Sequence, residues 1–106
     1  MTAGQVVAVV ALLAQMYGVS PDLMDCIAYR ESSYNASAVN GVCIGPMQWH
    51  PDTLEWLGEK ASNDPLWMHG YMDSGEPVYQ IALSAWAVAN GFGSHWSVWS
   101  SCEGEK

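Results

Sequence analysis

Glu31 stands at a position where the local pattern calls for an apolar residue. Leu23, Ile27 and Glu31 fall at i, i+4 and i+8, so on a helix the carboxyl shares one stripe with two core-type side chains. Burial there disfavours the charged form and raises the pKa. A carboxylic acid still protonated near neutral pH can serve as a general acid. Two simpler readings compete: the acid swings to solvent from the last turn, or it pairs with adjacent Arg30. The other chemistry-bearing types are less organised. His50, His69 and His95 are dispersed, and no CxxC or Cys/His spacing points to zinc, so no metal is expected. Cys26 lacks a His at local spacing and reads as core or disulfide, not nucleophile. Cys26, Cys43 and Cys102 permit at most one disulfide. A Cys43–Cys102 bridge would pin the C-terminal tail to the middle of the chain and contribute about 4 kcal/mol through loop closure. Cys43 with Cys26, or three reduced thiols, are the alternatives.

The whole composition narrows what such an acid could act on. The chain has 106 residues, enough for one domain spanning 1–106. Half the residues are hydrophobic and 13% are charged, which excludes a disordered or fibrous chain. Eleven acidic and three basic residues give a net charge of −8, and apart from terminal Lys106 the cations are Arg30 and Lys60. Sequence-independent capture of nucleic acid or of an anionic membrane needs clustered cations, so both partners are excluded. Six Trp and five Tyr are a heavy aromatic load for this length. They fit either the filling of a small core or a groove with flat, uncharged walls suited to neutral rings such as sugars.

The elements that must position Glu31 are helical, with short links. A first helix is expected from Ala3 to Tyr17, with Gly18 as its stop. Its apolar Val6–Ala14 run has no preceding Lys or Arg and is too short to span a bilayer, so it reads as a structural helix and not as an export signal. Ser20-Pro21-Asp22 signals the start of a second helix, through Ser33. Residues 35–45 read as a loop or a short irregular hairpin. Pro51 opens a third helix, expected to end at Leu57 before Gly58. After a turn-rich stretch from Ser62 to Gly75, a fourth helix runs from Pro77 to Asn90. In it Val78, Ile81, Ala82, Ala85 and Ala89 mark one apolar face. The tail from Gly93 to Cys102, with Trp96 and Trp99, is expected to fold back over the core. The fold class is mainly α.

Glu31-Ser32-Ser33-Tyr34-Asn35-Ala36-Ser37-Ala38, followed by Gly45-Pro46-Met47-Gln48, resembles the signature of the soluble lytic transglycosylases and goose-type lysozymes. The lead-in from Tyr17 to Leu23 and the run from Ile81 to Trp86 are also similar to elements of that family. The ending from Gly93 to Trp99, with Cys102, looks like the tail of small phage-encoded members. The resemblance covers about residues 3–102 and implies a lysozyme-like single domain with a loop or hairpin beside a groove. Carried over by position, Glu31 is the catalytic acid, and Ser32 bonds near it and the substrate. Gly45, Met47 and Gln48 line the groove. Trp86, where the family usually has Tyr, and Asn90, the counterpart of a family Asn at imperfect spacing, are the further substrate-binding residues that the resemblance implies. Ala36 replaces the usual Pro, and Pro46 the usual Leu.

The resemblance implies cleavage of the β-1,4 bond between N-acetylmuramic acid and N-acetylglucosamine in peptidoglycan, with no cofactor. Glu31 would protonate the leaving oxygen, the substrate's N-acetyl group would stabilise the anomeric carbon, and Glu31 would then take the C6 hydroxyl proton. The product is a 1,6-anhydro sugar. A hydrolytic lysozyme would gain from a second carboxylate, for which Asp52, Glu55 and Asp73 are candidates. A non-catalytic wall-binding or virion structural module is the rival from another class. The expected partner is the glycan strand of peptidoglycan, met by a monomer. Its place of action is the bacterial wall, reached as a phage lysin through a holin pore or as a domain of a larger protein.

Overall fold

A computed structural model describes residues 1–105. Five α-helices and one small hairpin follow in the order α1 (Ala3–Met16), α2 (Pro21–Ser32), β1 (Val39–Asn40), β2 (Cys43–Ile44), α3 (Pro51–Ala61), α4 (Pro77–Ala89) and α5 (Trp99–Cys102), with short 3₁₀ turns at Gly93–His95 and Glu103–Glu105. The fold is mainly helical, as expected.

Local chemistry sets the two helices that lead to Glu31. In α1 the Thr2 hydroxyl accepts from the Gln5 amide while the Gln5 side chain accepts from the Thr2 amide, a reciprocal cap. Its C-terminus closes with Gly18 in the left-handed region: the Gly18 N–H reaches the Gln15 carbonyl and the Val19 N–H the Ala14 carbonyl. Ser20 then caps α2 through the Leu23 amide, with Pro21 at its first position. α2 stops at Ser32 because Ser33 and Tyr34 both take positive φ, turning the chain sharply after Glu31.

α4 is the axis of the molecule. Every residue from Tyr79 to Ala87 is buried, so the expected single apolar face is replaced by burial all round, and Ala89 is exposed. The reason is position: α1 packs along it on one side and α3 on another. Its wholly buried serine hydroxyl, Ser84, is satisfied by donating to the Gln80 carbonyl and accepting from Trp49 Nε1.

Two expectations are corrected here. α3 does not stop before Gly58 but continues to Ala61. A Cβ on Gly58 would lie 2.7 Å from the Tyr79 hydroxyl, so glycine serves the close approach of α3 to α4 and not a helix end. The disulfide joins Cys26 to Cys102, and Cys43 is free. The bridge ties α5 to the middle of α2 because the tail folds back across that helix, while Cys43 sits on β2 of the hairpin. Trp96 anchors the same tail by donating from Nε1 to the Met47 carbonyl at 3.0 Å, so the tail covers the core as expected.

Residues 35–45 form the hairpin of the two alternatives. Val39 pairs with Ile44 and Asn40 with Cys43 across a two-residue turn, whose first residue, Gly41, takes positive φ. Among the described residues no helix is long and apolar enough to cross a membrane.

Candidate active site

Glu31 lies in the last turn of α2, half-buried, directly above Leu23 and Ile27, which are both buried. The stripe seen in the sequence is therefore real in three dimensions. Burial raises the carboxyl above its usual pKa, and no neighbouring charge offsets this. Arg30 forms no ion pair with it among the described residues, where the single close pair is His50 with Asp52.

The carboxyl faces a cleft of about 280 Å³. One wall is the hairpin pair Asn40 and Cys43, which as direct cross-strand partners point to the same side. A second wall is Gln48 to His50, together with Thr53 from the first turn of α3. The third is His95 to Ser97 of the tail. Glu31 is the one carboxylate lining this space among the described residues, and no Lys or Arg lines it. The cleft thus offers one carboxyl with a raised pKa amid polar side chains, which suits an uncharged, hydroxyl-rich substrate.

The loop after the hairpin is held from several directions. The Ser32 hydroxyl donates to the Pro46 carbonyl at 2.6 Å, with the Ala28 carbonyl of its own helix 3.1 Å away. Gln48, at φ 54°, folds its amide back to donate to the Gly45 and Ala38 carbonyls. Trp49 and Trp96, with ring centres 4.7 Å apart, are buried and line the cleft. The His50 ring caps α3 by accepting the Asp52 amide.

Of the residues singled out in the sequence, the structure brings Glu31 and Gln48 together in this cleft, with Ser32 behind them fastening the 45–48 loop. Met47 is wholly buried and turns to the core. Gly45 lies on the far side of the hairpin, where its Cα packs against the Gln80 amide and a Cβ would collide with it. Trp86 and Asn90 are placed elsewhere: the Trp86 indole donates to Asp64 and stacks on Phe92, while Asn90 is exposed and donates to the Trp86 carbonyl at the end of α4. They line a separate depression that has no residue in common with the Glu31 cleft. Asp52, Glu55 and Asp73 do not line the cleft either, although Asp52 borders an adjoining depression.

Asn40, Cys43, His50, Thr53, His95 and Ser97 were not legible as site residues. Their types carry no joint spacing, and only the hairpin register and the return of the tail bring them around Glu31. His50 and His95, dispersed in sequence, share the cleft, but among the described residues no group of three His, Cys, Asp or Glu side chains could hold a metal ion.

A protein-family model, the transglycosylase SLT domain, matches residues 9–97, a span that includes Glu31, the hairpin, the whole of α2 to α4 and the cleft side of the tail. No curated protein and no solved structure matches the chain.

Proposed function

The chain belongs to the transglycosylase SLT domain family, lytic transglycosylases that cleave glycosidic bonds in peptidoglycan, and from that premise we propose that Glu31 is its catalytic acid and base and that its product is a 1,6-anhydro sugar. The bond cleaved is the β-1,4 link between N-acetylmuramic acid and N-acetylglucosamine. The observation that supports this most is the half-buried, unpaired Glu31 carboxyl, whose pKa burial raises and which faces the cleft. It donates its proton to the leaving glycosidic oxygen as an oxocarbenium-like state develops. The substrate's own acetamido oxygen bonds to the anomeric carbon, and the Glu31 carboxylate then removes the C6 hydroxyl proton as the C6 oxygen attacks that carbon and displaces the acetamido oxygen. One carboxylate does both transfers, so a cleft with a single acid suffices. Ser32 and Gln48 act by fixing the 45–48 loop against the hairpin beside the scissile bond.

Asp52, in the adjoining depression, is the residue that favours a hydrolytic second reading, because an inverting or water-using site needs a carboxylate across the sugar from the acid. Mass spectrometry of released muropeptides decides between them: the anhydro product is lighter than the hydrolysed one by one water. Finding reducing ends alone defeats the lyase reading. Loss of turbidity of bacterial walls, abolished in Glu31→Gln, separates the enzyme from a wall-binding module, and undiminished lysis by that variant removes Glu31 from its role. The wall is its place of action, and the similarity of the Gly93–Cys102 ending to small phage-encoded members supports work in host-cell lysis.

A further inference from the structure

The tryptophan that faces solvent beside the cleft is Trp56, on α3. Trp49 and Trp96 are buried, and Trp99 lies on another face with Val19, Leu23 and Val88. Trp56 is 41% exposed, yet its ring is not loose. Phe92 meets it edge-on at 5.6 Å, and the His95 ring lies 5.5 Å away. Lys60, one turn further along α3, places its ammonium 4.7 Å from the ring centre. One turn back, Asp52 and Thr53 complete with Trp56 and His95 a second depression of about 280 Å³. Lys60 does not line it. Thr53 and His95 line both this depression and the Glu31 cleft. The two hollows therefore adjoin each other at Thr53 and His95, at the N-terminal end of α3.

We propose that Trp56, with Asp52 and Thr53, is a sugar-binding subsite that holds a second N-acetylhexosamine unit of the same glycan strand whose scissile bond lies at Glu31. The chemistry matches on each side. An equatorially substituted pyranose has one face of C–H groups, which packs on a flat aromatic wall. Its rim carries hydroxyl and acetamide N–H donors, for which the solvent-facing Asp52 carboxylate and the Thr53 hydroxyl are acceptors. Phe92 and His95 fix the indole before ligand arrives, so little conformational entropy is lost on binding. Because the occupant is a continuation of the substrate strand, this subsite rests on the reading of the Glu31 cleft given above, and it favours long glycans over short ones.

The test uses the full chain carrying Glu31→Gln, so that ligand is not consumed, and the hexasaccharide of β-1,4-linked N-acetylglucosamine as probe. Titration followed by NMR is expected to shift the Trp56 indole N–H and the Thr53 amide together with the Gln48 side-chain amide. Trp56→Ala in that background is expected to raise the Kd for the hexasaccharide about 3–10-fold, the loss of one aromatic stacking contact, and Trp56→Phe to recover most of it. An unmoved Trp56 indole at saturation, or a hexasaccharide Kd unchanged by Trp56→Ala, overturns the subsite. If Trp56→Ala fails to fold, the NMR titration, which keeps the tryptophan, still decides. The two readings fail differently. A native chain that clears walls and binds the hexasaccharide while Trp56 stays silent loses only the subsite. A native chain that neither clears walls nor binds the probe loses both.

Discussion

Glu31 answers two demands that pull in opposite directions. Catalysis needs the proton held near neutral pH, while folding is weakened by any carboxylate that loses water on burial. Its raised pKa, caused by burial, fixes the sign of both effects. The acid form is the competent one, so wall cleavage should decline as pH climbs through the raised value, and a pH–rate profile of turbidity loss checks this. For stability, a folded-state pKa above the ordinary 4.5 means that the folded state binds the proton more tightly. The native chain is therefore relatively most stable below that value and loses the advantage as pH rises through the raised one. Glu31→Gln, which never ionises, should accordingly gain in Tm relative to the native chain above pH 4.5, with the gap levelling at higher pH. The same substitution should lower wall cleavage at least ~100-fold, the ordinary worth of a general acid. A variant that is inactive because it is unfolded would show the opposite Tm shift.

The hairpin and the tail are the elements that turn one acid into a cleft. Gly45 ends the hairpin at a positive φ, with the Gln80 amide against its Cα, so a methyl group there meets both strain and a collision. Gly41, at the turn, also has positive φ but faces open space. Gly45→Ala should thus cost about 2 kcal/mol from overpacking in addition to strain, and Gly41→Ala only about 1 kcal/mol of strain, as read from urea unfolding. Because Gln48 donates to the Gly45 carbonyl, the first change should also weaken cleavage and the second should not. The tail wall depends on the Cys26–Cys102 bridge, which closes a separation of 76 residues. Cys102→Ser should cost about 4 kcal/mol by loop-closure entropy, a fall in Tm of roughly 15 °C or more by calorimetry. Cys43→Ser leaves that bridge intact and should leave the transition close to the native one.

At the scale of the whole molecule, a net charge of −8 confronts an anionic wall, so association is opposed at long range. Cleavage rates on walls should rise as salt is raised from low concentration toward ~0.15 M, where repulsion beyond about a Debye length is screened. A steady fall over that range would contradict it. The chain's own pattern was enough for the helices and for placing Glu31 on one stripe with Leu23 and Ile27, because caps, glycine stops and the 23–27–31 spacing are local signals that act within a few residues. It misjudged Gly58, whose role is set by Tyr79 across the interface between α3 and α4, and α4, whose burial comes from neighbours on both sides. The partner of Cys102, the remoteness of Trp86 and Asn90 from Glu31, and the depression beside Trp56 were likewise beyond local reading. Sequence determined which carboxyl shares the apolar stripe and the helix that holds it, since both follow from spacing along a single element. Only the tertiary structure decided what surrounds that proton, because cleft walls are made where separate elements meet, and the path of the tail and the register of the hairpin are set by packing between residues far apart in the chain.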